Sequence, residues 1–260
     1  MSTADTVLKV EGVSKRFGGL QALSDVGLTI RRGQVYGLIG PNGAGKTTFF
    51  NVITGLYTPD SGTFELGGKP YQPSAVHLVA KAGIARTFQN IRLFAEMTAL
   101  ENVMVGRHLR TSSGLLGAIF RTPGFKAEER AIMERARELL DYVGIGKYAE
   151  FKSRTLSYGD QRRLEIARAL ATDPKLIALD EPAAGMNATE KVVLRELIDR
   201  IRKDGRTILI IEHDVKLMMG LCDRLTVLDY GKQIAEGTAA EVQKNEKVIE
   251  AYLGTGHKAH

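Results

Sequence analysis

Short apolar runs recur along the chain and predict buried strands. Val35–Ile39, Leu176–Leu179 and Thr207–Ile211 are almost continuously apolar, which is typical of parallel strands covered on both faces. Leu8–Val13 alternates between apolar and polar residues and also predicts a strand. With helices between them, such strands predict an α/β protein.

Helical periodicity fills two of the intervals between these strands. After Val35–Ile39 and a glycine-rich turn, Lys46–Thr54 predicts a helix that ends at Gly55. Between the last two strands, apolar residues recur every three or four positions and predict an amphipathic helix, at Val193, Leu194, Leu197, Ile198 and Ile201. Strand, helix and strand in this order predict a right-handed crossover unit.

The middle of the chain has a different pattern. From about Thr98 to Arg168 the apolar spacing is helical, and no segment is convincing as a strand. Glu128–Tyr142 predicts one helix with a buried side, made of Ile132, Ala136, Leu139, Leu140 and Val143. Thr111–Gly124 carries Gly, Ser and Pro and predicts an irregular loop. We therefore expect a helical lobe inserted into an α/β core.

Composition narrows the class of protein without identifying it. The 260 residues carry 36 basic and 30 acidic side chains, a net charge of +6. So mild an excess of basic side chains is typical of an ordinary soluble surface. It favours none of nucleotide, nucleic acid and anionic lipid as a partner. The lone Cys222 excludes an internal disulfide and fits a reducing compartment, and its apolar context predicts a core position. The N-terminus resembles no signal peptide, and no apolar stretch is long enough to span a bilayer. We expect any membrane role to come through a partner.

The turn after Val35–Ile39 matches a phosphate-binding loop. Gly40-Pro-Asn-Gly-Ala-Gly-Lys46-Thr47 has the spacing in which glycines let backbone N–H groups approach phosphate oxygens. The following helix directs its positive N-terminal end at the same anion. Lys46 would supply charge to the β- and γ-phosphates, and Thr47 a hydroxyl to magnesium. A chance glycine-rich turn is the alternative, and the position between a predicted strand and helix disfavours it.

Two adjacent carboxylates end the strand Leu176–Leu179. Asp180 could hold magnesium through water, as P-loop enzymes require, and Glu181 could polarise the attacking water. Two acids before Pro182 would otherwise indicate a solvated turn. A phosphate-binding loop elsewhere in the chain favours the metal, because bound phosphates need a cation.

A third motif, Leu-Ser-Tyr-Gly-Asp-Gln-Arg-Arg, opens a predicted helix over Arg162–Ala171. Ser157 and Asp160 have the spacing of a helix capping box. The same segment could form a second phosphate site, in which Ser157 and the bare backbone of Gly159 meet a γ-phosphate at a helix N-terminus. The two interpretations are compatible, and the residues alone do not choose between them.

The order of these motifs resembles the ATP-binding-cassette (ABC) family over nearly the whole chain. The phosphate-binding loop, Gln89, the LSYGDQRR segment, LIALDEP and His213 follow one another as they do there. The resemblance implies an α/β fold, with a P-loop NTPase core, a mixed sheet at its N-terminal edge and an inserted helical lobe. It places the core at about 1–90 and 166–260, and the lobe at about 91–165, within a single nucleotide-binding domain over 1–260.

The resemblance also assigns roles to single residues. Phe17 matches the aromatic residue that stacks on adenine, although a lone Phe could equally be a core residue. Gln89 matches the glutamine that contacts the metal shell with Thr47 and Asp180, and His213 matches a histidine that contacts the γ-phosphate beside the catalytic Glu181. Nucleotide-binding roles extend over the whole loop and the residue after it: Gly40, Pro41, Asn42, Gly43, Ala44, Gly45, Lys46, Thr47 and Thr48.

The motifs depart from the family pattern at three positions. The family signature is usually Leu-Ser-Gly-Gly-Gln, so Tyr158 and Asp160 differ, whereas Ser157 and Gly159 are intact. In the loop Ala183-Ala-Gly-Met-Asn187, Asn187 stands where Asp is usual. The effect of these departures on contacts with a second subunit does not follow from the sequence.

A narrower resemblance points to the ATP-binding subunit of bacterial branched-chain amino acid importers. The signature, the EPAAGMN loop, IEHDVKLMM, the insertion near Thr111–Phe125 and the C-terminal VIEAYLG carry it. The lipopolysaccharide-export ATPase is a close alternative, usually shorter through that insertion. A soluble, non-transport ABC ATPase of translation or DNA repair is the other, but the chain has neither a second cassette nor sustained heptads.

The resemblance implies MgATP hydrolysis by a head-to-tail dimer. Walker residues of one subunit would face Ser157 and Gly159 of the other, with ATP between them. The expected partners are a second ATPase subunit, identical or different, and transmembrane permease subunits bound near Gln89–Ala95. A periplasmic or extracellular solute-binding protein would act indirectly, and no nucleic acid is expected. The expected location is the cytoplasmic face of the inner (plasma) membrane.

Overall fold

The computed structural model describes residues 5–107 and 123–254. They form two compact units. The core unit comprises the described parts of Met1–Arg86 and Arg195–His260, together with Lys175–Ala183. The helical unit comprises the described part of Thr87–Pro174 and Ala184–Leu194. Most of the predicted loop over Thr111–Gly124 lies outside the described residues.

The core unit contains two sheets. The first has the order β2-β1-β4-β5 and is antiparallel, with β1 Thr6–Phe17, β2 Leu20–Arg31, β4 Ser61–Leu66 and β5 Lys69–Pro70. The second has the order β10-β9-β3-β8-β7-β6. Its strands are β3 Val35–Ile39, β6 Ile84–Arg86, β7 Leu176–Asp180, β8 Thr207–Ile211, β9 Arg224–Asp229 and β10 Lys232–Gly237. All neighbours in it are parallel except β9 and β10.

The helices lie between and after these strands. The core unit carries α1 Lys46–Ile53, α2 Val76–Ala82, α7 Val215–Leu221, α8 Ala239–Gln243 and α9 Glu246–Gly254. The helical unit carries α3 Ala99–Arg107, α4 Pro123–Tyr142 and α5 Tyr158–Leu170, and short 3₁₀ turns at Gly146–Tyr148 and Ser153–Thr155. Helix α6, Ala188–Lys203, begins in the helical unit and ends in the core unit.

The continuously apolar runs of the sequence correspond to three neighbouring parallel strands of the six-stranded sheet. Every residue of β3, β7 and β8 is buried, which confirms the pattern-based prediction. In the described residues of the helical unit, the pairing of Thr98 with Lys152 is an isolated bridge, so the predicted lack of strands also holds. The five apolar residues assigned to one side of Glu128–Tyr142 are all buried. Cys222 is buried, and burial raises the pKa of its thiol.

Three expectations need correction. The strands at the N-terminal edge form a separate antiparallel sheet, and the antiparallel member of the mixed sheet is β10, near the other end of the chain. Helix α5 begins at Tyr158, four residues before the predicted start at Arg162, because its N-cap is Ser157. Val193, assigned to the apolar face of α6, is 39% exposed, whereas the other four residues of that face are buried.

Candidate nucleotide site

The predicted phosphate-binding loop connects β3 to α1 in the core unit. Gly40, Gly43 and Gly45 have φ values of 150°, 79° and 96°, which residues other than glycine rarely adopt. At Gly40 space also forbids a side chain, since a Cβ would lie 2.1 Å from the carbonyl oxygen of Leu228. The loop therefore turns its backbone tightly against β9 before α1 starts, the geometry that lets N–H groups face an anion.

Lys46 is the first residue of α1 and is buried. Its Nζ donates to the carbonyl oxygens of Gly40, at 2.7 Å, and of Pro41, at 2.8 Å. Burial lowers the pKa of the Lys46 ammonium, and the negative charge of Glu181 partly opposes that shift. The ammonium is therefore held over the mouth of the loop, where an anion would relieve the cost of burying it.

An open cavity of about 420 Å³ adjoins the loop. Its floor is Gly43–Thr48, and its sides come from Phe17, Leu20, Gln21, Ala22, Tyr230 and Gly231. Phe17 is 42% exposed and packs edge-on against Tyr57, with 5.2 Å between the ring centroids. Phe17 is thus no core residue, and part of its ring remains available to a ligand.

The two predicted carboxylates lie where parallel strands end. Asp180 ends β7 and is buried, and its Oδ2 accepts a hydrogen bond from Nη2 of Arg86 at 2.8 Å. Glu181 has a positive φ of 44°, and its N–H donates to the carbonyl oxygen of Ile211 at 2.9 Å. Its Oε2 lies 3.6 Å from Nδ1 of His213, which is longer than a hydrogen bond.

Glu212 is a residue of this site that sequence reasoning missed. Its side chain is buried and accepts hydrogen bonds from the N–H of Ala183, at 2.8 Å, and of His213, at 3.1 Å. It therefore joins the loop after Glu181 to the loop that carries His213. Glu212 directly follows the apolar strand TILII, and an acid in that place was the available signal.

Arg86 was missed as well. Its guanidinium binds Asp180, donates to Thr54 Oγ1 at 2.7 Å and lies 4.8 Å from the centre of the Phe50 ring. A buried carboxylate needs such a partner, because an unpaired charge is costly away from water. The sequence offered no signal, since the pairing with Asp180 depends on how β6 and β7 align.

The signature residues open helix α5 in the helical unit. Ser157 is the N-cap, and its Oγ accepts from the N–H of Asp160 at 3.2 Å and donates to Asp160 Oδ2 at 2.8 Å. Asp160 is also paired with Arg163. The first half of the predicted capping box is therefore present, and Asp160 additionally holds the serine hydroxyl.

The other departures from the family pattern have local partners. Asn187 accepts from the N–H of Glu190 at 3.0 Å, and Glu190 accepts from the N–H of Asn187 at 2.9 Å, a reciprocal cap at the start of α6. A Cβ on Gly159 would lie 2.8 Å from Glu190 Oε1. Tyr158 is 42% exposed, and its hydroxyl accepts from Arg162 at 3.2 Å.

Gln89 lies in the helical unit and is exposed. A fully buried Arg162 fixes the backbone beside it by donating to the carbonyl oxygens of Phe88, at 2.6 Å, and Gln89, at 2.7 Å. Glu165 pairs with Arg162 at 2.8 Å and accepts from the Phe88 N–H. Burial raises the pKa of the Glu165 carboxyl, and the charge of Arg162 opposes that shift.

The core unit brings Phe17, the loop, Asp180, Glu181 and His213 together, whereas Gln89 and the signature belong to the helical unit. Across residues 5–107 and 123–254, no three His, Cys, Asp or Glu side chains form a group that could hold a metal. Magnesium needs no such group when phosphates and water supply most of its ligands. The exposed Thr47 and the carboxylate of Asp180 are the oxygen donors that fit it.

A glycine-rich loop that leads from a parallel strand into a helix, with carboxylates at the end of a nearby strand, binds nucleoside triphosphates in the P-loop class. This chain has the architecture of that class.

Comparison with known proteins narrows the class to a family. A model of the ABC transporter family matches residues 23–184. The BraF protein of Pseudomonas aeruginosa, a high-affinity branched-chain amino acid transport ATP-binding protein, is 46% identical over 95% of this chain and 98% of its own. LivG of Escherichia coli, of the same description, is 44% identical over the same shares. The chain belongs to the ABC transporter family, and ATP hydrolysis is the general activity that this membership supports.

Further matches refine this result. A model of the branched-chain amino acid ATP-binding cassette transporter matches residues 232–258. The lipopolysaccharide export ATP-binding protein LptB of E. coli is 33% identical over 95% of this chain and 97% of its own. The crystal structure of the ABC transporter cassette MJ1267 in its ADP conformation is 34% identical, with a TM-score of 0.83 over 96% of this chain and 99% of that one. A dimeric structure of the cassette MJ0796 is 26% identical, with a TM-score of 0.75 over 89% of this chain and 98% of that one.

No helix in the described ranges is long and apolar enough to cross a membrane.

Proposed function

We propose that this protein is the ATP-hydrolysing subunit of a membrane importer of branched-chain amino acids. The observation that carries the proposal is similarity over almost the full length, at 44–46% identity, to proteins of that description. The match of residues 232–258 to a branched-chain amino acid cassette model supports it independently. The 33% identity with LptB makes lipopolysaccharide export the weaker candidate.

In this proposal, the core unit binds ATP. The adenine lies against Phe17, whose ring is partly exposed on the cavity. The phosphates lie on the N–H groups of Gly43–Thr48, and Lys46 turns from the carbonyl oxygens of Gly40 and Pro41 to the phosphate oxygens. The exchange is favourable because a charge-assisted bond to phosphate is stronger than a bond to a neutral carbonyl.

Hydrolysis is assigned to the ends of β7 and β8. Thr47 and Asp180 would hold Mg²⁺, and the bound ion would neutralise charge on the β- and γ-phosphates. Arg86 keeps the Asp180 carboxylate in place. Glu181 accepts the proton of the attacking water, and the bond from its N–H to the carbonyl oxygen of Ile211 holds its backbone beside the end of β8. His213 contacts the γ-phosphate, and Glu212 sets the position of both loops.

A complete site requires a second ATPase subunit, identical or different. The signature residues Ser157, Tyr158, Gly159 and Asp160 of one subunit would meet the γ-phosphate held by the other. The dimeric MJ0796 cassette supports such an arrangement. ATP would hold the dimer closed, and hydrolysis would release it. The dimer would bind transmembrane permease subunits near Gln89–Ala95 on the cytoplasmic face of the plasma membrane, with a solute-binding protein on the other side.

Uptake of labelled leucine, isoleucine and valine tests the proposal. Cells that lack this chain should lose uptake, wild-type chain should restore it, and Glu181→Gln chain should not. Permease subunits should co-purify with the wild-type chain and with the Glu181→Gln variant, because the substitution changes chemistry and not docking. Unchanged uptake together with a defect in lipopolysaccharide export would favour the alternative. Co-purification with ribosomes or DNA, without permeases, would point to a non-transport ATPase.

A further inference from the structure

The turn between β9 and β10 adopts a backbone conformation that disfavours one of its residues. It contains two residues, Tyr230 and Gly231, because Asp229 pairs directly with Lys232. Their φ values are 42° and 73°. Two positive φ values are the requirement of a type I′ turn, for which Asn-Gly is the preferred pair. A bulky residue with positive φ is a genuine outlier, so Tyr230 is strained where Asn would not be.

The turn is fixed in place between the phosphate-binding loop and strand β2. The N–H of Gly231 donates to the carbonyl oxygen of Ala44 at 3.0 Å, and the N–H of Ser24 donates to the carbonyl oxygen of Gly231 at 2.8 Å. A Cβ on Gly231 would lie 2.4 Å from the carbonyl oxygen of Ala22, so glycine is required there. Tyr230 is therefore held rigidly beside the loop that binds phosphate.

The side chain of Tyr230 gains nothing evident from the fold itself. It is 80% exposed, although tyrosine is an apolar ring with one polar atom. It lines the same cavity as Phe17 and Leu20, which are 42% and 68% exposed. Three exposed large apolar side chains thus border one cavity whose floor is the phosphate-binding loop. Strain that persists at a binding cavity, without packing to offset it, indicates a role in binding.

We propose that Tyr230 contacts the nucleoside of the bound nucleotide and forms a second aromatic wall of the cavity, in addition to Phe17. The inference rests on the proposed nucleotide site and extends it. A base or ribose in the cavity would cover the exposed ring, and aromatic contact with a base is favourable whichever base it is. The contact strengthens binding of ADP and ATP alike, because both carry the same nucleoside.

The substitution Tyr230→Asn separates this role from a structural one. Asn suits the turn better than Tyr, so the melting temperature of the nucleotide-free protein should rise, by about 1–3 °C. The same variant loses the ring, so the Kd for ADP should increase at least about fivefold. Tyr230→Phe keeps the ring and the strain, and it should bind ADP within about twofold of wild type. A variant that is more stable but binds more weakly cannot be explained by damage to the fold.

The measurement is calorimetric titration of ADP into wild type, Tyr230→Asn and Tyr230→Phe, with thermal unfolding of each. ADP is chosen because it lacks the γ-phosphate through which a second subunit would be recruited. Wild-type ADP affinity in Tyr230→Asn would overturn the inference and leave the proposed nucleotide site standing. If Tyr230→Asn alters only ATP-dependent dimerisation, Tyr230 faces a second copy and the inference is likewise wrong. If wild type itself fails to bind ADP, the proposed site fails with it.

Discussion

In the core unit, backbone geometry fixes the loop proposed to bind phosphate, whereas in the helical unit side-chain caps fix the segments that carry the family motifs. Gly40, Gly43 and Gly45 adopt φ values that other residues avoid, and the loop packs against β9. Ser157 and Asn187 instead depend on reciprocal bonds with Asp160 and Glu190. A backbone device admits few substitutions. A helix cap tolerates a change of one member if its partner suits it, which explains how Asp160 and Asn187 can differ from the usual family pattern.

The largest effect is expected at the first of these regions. Lys46→Ala removes the buried ammonium from the mouth of the loop, and ATP hydrolysis should fall about 100-fold or more, because a charged donor to the reacting group is lost. Its circular dichroism spectrum should match that of wild type. Lys81→Ala, in the exposed last turn of α2, is the matched control and should hydrolyse ATP normally. Wild-type turnover in Lys46→Ala would refute the assignment of the loop.

Glu181→Gln should separate binding from chemistry. The amide keeps the shape of the side chain and loses its basicity, so turnover should fall by roughly 10²–10⁴-fold while the Kd for ATP is unchanged. Asp180→Asn should weaken both, since Asp180 is proposed to serve the metal. Glu65→Gln, on the exposed face of β4, controls for loss of a negative charge. Equal loss of ATP affinity in Glu181→Gln and Asp180→Asn would make both residues metal ligands and His213 the next candidate for the base.

Glu212→Gln should have an intermediate effect on both stability and turnover. Its two oxygens accept N–H groups from separate loops, and a glutamine can present only one acceptor oxygen to them. The free energy of unfolding should fall by about 1–3 kcal/mol. In assays at temperatures well below the melting temperature of the variant, turnover should still be reduced. ADP affinity should be preserved, because the phosphate-binding loop is untouched. If turnover per folded molecule equals that of wild type, Glu212 is a structural residue alone.

The smallest effect is expected at the cap of α6. Asn187→Ala should reduce the free energy of unfolding by about 1 kcal/mol, the usual contribution of an N-cap. Asn187→Asp should retain that stability, because Asp also caps helices well. Thr189→Ala, at an exposed position two residues after Asn187, should change stability little. Chemical denaturation of the three variants measures this, and an Asn187→Ala protein as stable as wild type would rule out the cap.

The continuously apolar strands β3, β7 and β8 were predictable. The largely buried interior strand β9 and the edge strands β2 and β10 were not. β3 and β8 have the predicted bounds because their neighbours on both sides require apolar residues throughout. The half-exposed strands β2 and β10 carry mixed patterns that resemble loops, so neither was predicted. The lobe boundaries near residues 91 and 165 stay a prediction.

The site could be predicted where one segment of chain supplies the chemistry. The phosphate-binding loop follows from local spacing, and its presence in turn favours a metal role over a solvated turn for the Asp180-Glu181 pair. The role of Arg86 could not be predicted, because it depends on which strand ends lie side by side. Glu212 carried a signal, an acid directly after an apolar strand, but its two partners depend on the fold. Tyr230 required the turn geometry, since an exposed tyrosine has no distinctive pattern in sequence. The roles assigned to single residues stay predictions, for Lys46, Thr47, Asp180 and Glu181 as much as for Phe17, Gln89, His213 and the signature residues.

Mixing two inactive variants tests most directly whether the two regions form one site between chains. Ser157→Arg should keep monomeric ATP binding, because Phe17 and Lys46 are untouched, and should lose ATP-dependent dimerisation and turnover. In a dimer of Lys46→Ala with Ser157→Arg, one site carries both changes and the other carries neither. We predict that the mixture hydrolyses ATP faster than either variant alone at the same total concentration. No gain over the separate variants would contradict the account and would place all the required residues within one chain.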